Sequence, residues 1–300
     1  MQQMTGNTRL RYKIMKGSTP YVLIFPNLLL FFVFIILPAI FGLIDSFARW
    51  NGIEPLHFIG LGNYVALLTS HSFWTMLWRT FRFILIAVPL TFFVSLWLAY
   101  LLSKDIRGRS FFRMVFYAPA VISAIVTGVA WKWILSSQFG VLNYALHTVG
   151  IRPVDWLVSG FFASLSVVVV SVWSWAGFYM LIFIAGLQSI PIQYYEAAAL
   201  DGASPFRRFW SVTFPLLRPT SLLVVILNTI QAFQTFALVY VLTDGGPGNT
   251  TRFFVQDIYE TGFNTGRFGY ASALSVMLFV ILAVLTVIQL RLGRQGENDL

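Results

Sequence analysis

Cysteine is absent from the 300 residues, so no disulfide framework, reactive thiolate or cysteine metal site is open to this chain. Charge is scarce: Asp, Glu, Lys and Arg together make 10% of the residues, against about 25% in an average soluble domain. Histidine occurs three times, at His57, His71 and His147, in no pair spaced for zinc. No glycine-rich loop ends in Lys-Ser or Lys-Thr, so the chain lacks that route to cradling nucleotide phosphates. Hydrophobic side chains, by contrast, make 58% and aromatic ones 17%, with a mean hydropathy of +0.77. Disordered chains are poor in aromatics. A soluble domain of this size could not hide so much apolar surface. The chain's solvent is therefore mostly lipid.

A hydrocarbon core of about 30 Å takes about 20 apolar residues of helix. Six runs meet that length: Tyr21 to Ile44, about Trp74 to Leu102, about Met114 to Leu135, Phe161 to Leu187, about Pro219 to Leu242 and about Tyr270 to Leu290. The first is too long for a signal h-region of about 7–15 residues and has no small-residue cleavage site after it, so it reads as a retained span. The net charge of +9 sits in clusters between the runs rather than in a nucleic-acid-binding stripe. With the N-terminus inside, the inner segments hold thirteen of the 20 Lys and Arg residues, among them Arg9, Lys16, Lys104, Arg113, Arg207 and Arg291. Acidic residues divide almost evenly, so the bias is in Lys and Arg, as the positive-inside rule requires. The expected fold class is all-α. A cytoplasmic segment 1–20 precedes a six-helix transmembrane domain over 21–291, whose 188–218 loop faces the cytoplasm, and a cytoplasmic tail 292–300 follows. No loop is long enough for a separate catalytic domain.

The middles of the six runs hold no Asp, Glu, Lys, Arg or His. Proton and ion relays usually place such groups there, so an ion-coupled carrier is disfavoured and an enzyme more so. Polar uncharged residues are more telling. Asn228, Gln231, Gln234 and Thr235 recur at spacings of three and four, one face of a helix. Either they bind neighbouring helices, at about 0.6 kcal/mol each, or they line a hydrophilic path. The fourth run offers Trp173, Trp175 and Tyr179 beside Ser171 and Ser174. Such rings stack on the apolar faces of sugars but also populate interfacial belts. Trp173 lies near mid-span.

Between the fourth and fifth runs, Pro191 favours a first turn, and Glu196-Ala197-Ala198-Ala199-Leu200 is strongly helix-forming. Gly202 supplies the turn that ends this helix, Ser204 caps a second with Pro205 behind it, and Pro215 ends that one. Aromatic residues alternating with charge suit docking on a partner or lying on a membrane surface.

The frame Glu196-Ala197-Ala198, then Gly202, then Val212-Thr213-Phe214-Pro215 after nine residues resembles the signature loop of ABC importer permeases. Ile and Leu are commoner in that family where Val212 and Phe214 stand. Thr243 to Thr251, Ile258 to Phe263, Gly269 to Ser275 and Phe58 to Tyr64 look like the carbohydrate branch. More narrowly they resemble the maltose-type first permease subunit and its glycerol-phosphate and oligosaccharide relatives. That resemblance implies a heteromeric importer: a homologous second permease, two ATP-binding subunits that use ATP and magnesium, and an extracytoplasmic solute-binding protein. This chain itself would bind no cofactor and carry no catalytic residue. Glu196, Ala197, Ala198, Asp201, Gly202 and Pro215 would couple to the ATPase. Trp173, with Trp175, Tyr179, Asn228, Gln231, Gln234 and Thr235, would line the path of a sugar, and Gly245, Gly246 and Pro247 would meet the binding protein. The expected location is the bacterial cytoplasmic (inner) membrane, with both termini cytoplasmic.

Overall fold

The computed structural model describes Tyr21 and residues 23–295, so the expected 1–20 segment and residues 296–300 of the tail lie outside the described residues. The elements are α1 (Leu23–Asp45), a two-residue ribbon of β1 (Ala48–Arg49) and β2 (His57–Phe58), α2 (Gly62–Thr69), α3 (His71–Ser103), α4 (Arg109–Val121), α5 (Ala124–Ile134) and α6 (Val141–Thr148). There follow α7 (Gly160–Gln188), α8 (Ile192–Leu200), α9 (Pro205–Leu216), α10 (Arg218–Phe233), α11 (Ala237–Thr243), α12 (Phe254–Tyr259) and α13 (Phe268–Gln295). Among the described residues, four helices are long and apolar enough to cross a membrane (α1, α3, α7 and α13), and six spans result if each of two bent pairs counts as one.

One bent pair falls on a run that reads as uninterrupted helix in the sequence. In the third run, α4 and α5 meet at 99°. Pro119 inside α4 withdraws a backbone donor, and Ile122 and Ser123 are extended, with ψ near 138° and 135°. The fifth run is helical only to Phe233; Phe236 departs to φ −132° and ψ −68°, and α11 starts afresh at Ala237. The structure therefore corrects the single helix expected over 219–242. Upstream, α9 and α10 meet at 68°.

The chain divides into two compact units. One comprises the described residues up to Ala66 with Thr261–Val276. There Asn63, inside the Phe58–Tyr64 stretch, donates from Nδ2 to the carbonyls of Ser46 (2.9 Å) and Ala48 (2.8 Å), and the Gly269 N–H reaches the Trp50 carbonyl. The other unit, Leu67–Glu260 with the chain from Met277 onward, carries the remaining features. Its core is α3 packed on α7, with Phe92 edge-on to Phe183 and the rings of Tyr179, Phe183 and Phe233 fully buried. Gly177 lets α7 touch α4: a Cβ there would fall on the Phe116 carbonyl. Gly128 does the same for α5 against α11, where a Cβ would meet Val241 at 3.0 Å.

Candidate functional site

The two helix breaks border one cavity together with α7. The corner of α4 and α5 (Pro119, Ile122, Thr127), one face of α7 (Ser171, Ser174, Trp175) and the end of α10 (Gln231, Gln234, Thr235) enclose a cavity of about 150 Å³. No charged side chain lines it. Irregular backbone at membrane depth is tolerated only where it is buried in protein or lines a polar cavity, and here it borders one.

The polar face read from the sequence divides in two. Asn228 is buried and donates from Nδ2 to the Val88 carbonyl of α3 at 3.1 Å, and neighbouring Thr229 accepts from Gln289 Nε2 of α13 at 3.0 Å. These two tie helices together. One turn on, the amides of Gln231 and Gln234 have no hydrogen-bond partner among the described residues and border the cavity. Thr235 donates to the Gln231 carbonyl (3.1 Å) and Ser174 to Val170 (2.8 Å), which leaves their oxygen lone pairs as acceptors. Ser171 Oγ is buried with no partner among the described residues. The walls thus offer amide donors and acceptors, hydroxyl oxygens and the Trp175 indole, all without charge.

The aromatic residues separate as well. Trp175 lines the cavity, edge-on to Phe178. Trp173 lies outside it, 41% exposed, against Trp131 and beside an almost wholly apolar hollow that includes Trp97 and Val172. Tyr179 is buried in the helix packing at 1% exposure. The α4–α5 corner itself is missing from the sequence reading, although Pro119 four residues before Ser123 carried a signal of a broken helix.

In the 188–218 loop, α8 runs from Pro191 at its cap to Leu200, and Gly202 turns the chain at φ 73°, a conformation L side chains rarely adopt. Ser204 accepts from the Arg207 N–H at 3.3 Å. Pro215 does not end the second helix as expected. The turn over Phe209–Thr213 widens to a π-turn, with the Phe214 N–H reaching the Phe209 carbonyl, and α9 continues through Pro215 to Leu216. Tyr195 OH and Thr213 Oγ1, 3.1 Å apart, hold α8 to α9. Glu196, Ala197, Asp201 and Gly202 are exposed, Ala198 and Pro215 half-buried, and Glu196 has no ion-pair partner among the described residues. Leu200 is 90% and Phe206 74% exposed.

The loop after α11 is built to a fixed shape. Asp244, Gly245, Gly248 and Asn249 all take positive φ. Thr251 donates from Oγ1 to the Gly246 carbonyl, and Arg252 grips Asp257 and Glu260 at 2.6 and 2.7 Å, which fastens the loop to the α12 region. Gly245 is buried, Gly246 and Pro247 half-buried, and Gly248 and Asn249 stand outermost.

Residues 58–295 match the family described as binding-protein-dependent transport system inner membrane component. The chain belongs to that family. It is a multi-pass inner-membrane permease. The permease is 35% identical over 292 residues to the trehalose/maltose transport system permease protein MalF of Thermococcus litoralis, covering 97% of this chain and 99% of the relative. It is 35% identical to the sn-glycerol-3-phosphate transport system permease protein UgpA of Agrobacterium fabrum, covering 91% and 93%. In structure it resembles a bacterial ABC transporter involved in the import of the acidic polysaccharide alginate, with TM-score 0.83, 23% identity, and coverage of 96% and 99%. The latter likeness speaks to the fold.

Proposed function

We propose that this permease carries a sugar or oligosaccharide inward as the transmembrane half of an ATP-binding-cassette importer. The observation that carries the reading is the cavity at the two helix breaks, where unpartnered Gln231 and Gln234 amides face an indole with no charge nearby. Sugar hydroxyls donate and accept together, as amides do, and the apolar face of a pyranose suits an indole. The named relatives include carriers of trehalose/maltose and of glycerol 3-phosphate. A phosphate ester would call for a basic group, and the cavity walls supply none. At 150 Å³ the cavity falls below the 300–1,000 Å³ or so of complete ligand sites. A homologous second permease chain would supply the missing wall.

The chain has no catalytic role in this reading. Two ATP-binding subunits, using ATP and magnesium, would seat α8 in a groove, with Glu196 against a basic residue and Gly202 setting the turn. ATP binding would close that pair, push the 188–218 loop and open the cavity toward a loaded solute-binding protein at the 244–252 loop. Hydrolysis would return it to face inward. The Lys and Arg bias supports cytoplasmic termini.

The test is ATPase activity of the purified four-subunit complex in nanodiscs, with binding protein, across mono- and oligosaccharides and glycerol 3-phosphate. Stimulation by a sugar-loaded binding protein is expected. Stimulation by glycerol 3-phosphate alone would overturn the cargo and keep the machinery.

A further inference from the structure

A second cavity, of about 460 Å³, opens between α3, the start of α7 and the 244–252 loop. Its lining is split by chemistry. Phe83, Ile86, Leu165 and Val168 form an apolar trough, and Arg79 and Arg82 stand at one end. Neither arginine has an ion-pair or hydrogen-bond partner among the described residues, and no Asp or Glu lines the cavity.

Depth fits the same division. With 33 residues, α3 is about 50 Å long, well beyond a hydrocarbon core of about 30 Å. Arg79 and Arg82 lie about 12 and 17 Å from its first residue, and a core of about 30 Å centred on the helix would begin about 10 Å from that end. Arg82 lies on the exposed side of α3 with Trp78, Leu85 and Phe93, an apolar face on which two unneutralised cations are costly unless they meet an anion. The start of α7 opens at the same end. Its cap Ser159 makes no side-chain hydrogen bond to it, and Gly160 lets Thr250 approach so closely that a Cβ would lie 3.0 Å from the threonine methyl.

We infer that this cavity holds one anionic glycerophospholipid. The phosphodiester sits between Arg79 and Arg82, and an acyl chain runs along Phe83, Ile86 and Val168. Because both guanidinium groups lack carboxylate partners, a headgroup without an ammonium is favoured, such as phosphatidylglycerol over phosphatidylcholine. The lipid would brace the 244–252 loop against α7. The inference rests on the chain spanning a membrane and on no particular cargo, so the sugar panel above can fail without touching it.

The experiment is native mass spectrometry of the permease purified in its native assembly, after exchange into detergent carrying equal phosphatidylglycerol and phosphatidylcholine of matched chains. The wild type should retain phosphatidylglycerol selectively. The double variant R79Q/R82Q should retain it about 30-fold less, taking about a fivefold loss for each cation near the membrane surface. Ile86→Trp, which fills the trough on an exposed position and keeps both charges, should also expel the lipid. Equal retention by wild type and R79Q/R82Q would overturn the inference, as would equal retention of the two lipids by the wild type. Loss of a co-purifying permease chain from R79Q/R82Q would overturn it too, and would make the cavity a subunit interface.

Discussion

The 188–218 loop turns apolar side chains outward, and the cavity at the helix breaks turns amides inward. Leu200, Phe206, Tyr194 and Trp210 are exposed there, and Glu196 has no ion-pair partner among the described residues. A cluster of exposed apolar residues rimmed by charge marks a surface that another protein covers. In the cavity the reverse holds. Gln231, Gln234 and Ser171 lie among membrane-spanning helices without partners, a cost that only a polar guest or water offsets. Each region is incomplete in the chain alone. On the proposed function the loop takes a protein and the cavity a solute, so substitutions should separate them cleanly.

The largest effect belongs to the loop. Glu196→Lys should cut uptake by roughly 30-fold or more, since reversing one member of a desolvated charge pair costs at least as much as truncating it. Sugar binding, measured by equilibrium titration on the same complex, should stay unchanged. Normal uptake by that variant would remove Glu196 from the coupling surface. A second, nearly as large effect is structural and lies between the regions. Gly177→Ala puts a methyl onto the Phe116 carbonyl where α7 crosses α4, and overpacking of this kind costs about 1–3 kcal/mol. A lowered melting temperature with unchanged sugar preference among surviving molecules is expected. A wild-type melting curve would show that α4 can slide aside.

The cavity gives smaller, selective effects. Gln231→Leu and Gln234→Leu should each raise the KM for transport about fivefold, the equivalent of about 1 kcal/mol per hydrogen bond lost. Trp175→Ala should raise it more than Trp173→Ala, because Trp175 lines the cavity and Trp173 does not. The opposite order would place the solute on the other face of α7.

How far each region could be read in advance follows from the range of the forces that shape it. Gly202, Ser204 and Pro205 act within four residues, so both short helices and the turn between them were legible. The π-turn was not, because a proline rules out the regular turn before it without saying whether the helix stops there or widens and continues. Length and hydropathy gave the spans, since lipid imposes them directly. The break after Phe233 has no proline or glycine to announce it, and a stripe at spacings of three and four looks the same whether or not its last members are helical. Trp173 and Trp175 are two residues apart, which on a helix is about 200°, so which one borders the cavity was a question of helix rotation alone.

The same rotation separates the smallest predicted effect from the rest. Asn228 lies three residues from Gln231, and spacing alone put both on one helical face. In the structure Asn228 spends a donor on Val88, immediately before Pro89 of α3. Phe92 of α3 can still bond that carbonyl, so removing the amide strands no backbone group. Asn228→Leu should therefore cost only about 0.6 kcal/mol, as interhelical hydrogen bonds in membranes do on average. The melting temperature of the complex should drop slightly, while KM and sugar preference hold at wild-type values. If KM instead rose as far as in Gln231→Leu, the Asn228 side chain would have to leave Val88 for the solute during transport. The cavity would then extend a full turn deeper along α10 than its walls at Gln231 and Gln234 now mark.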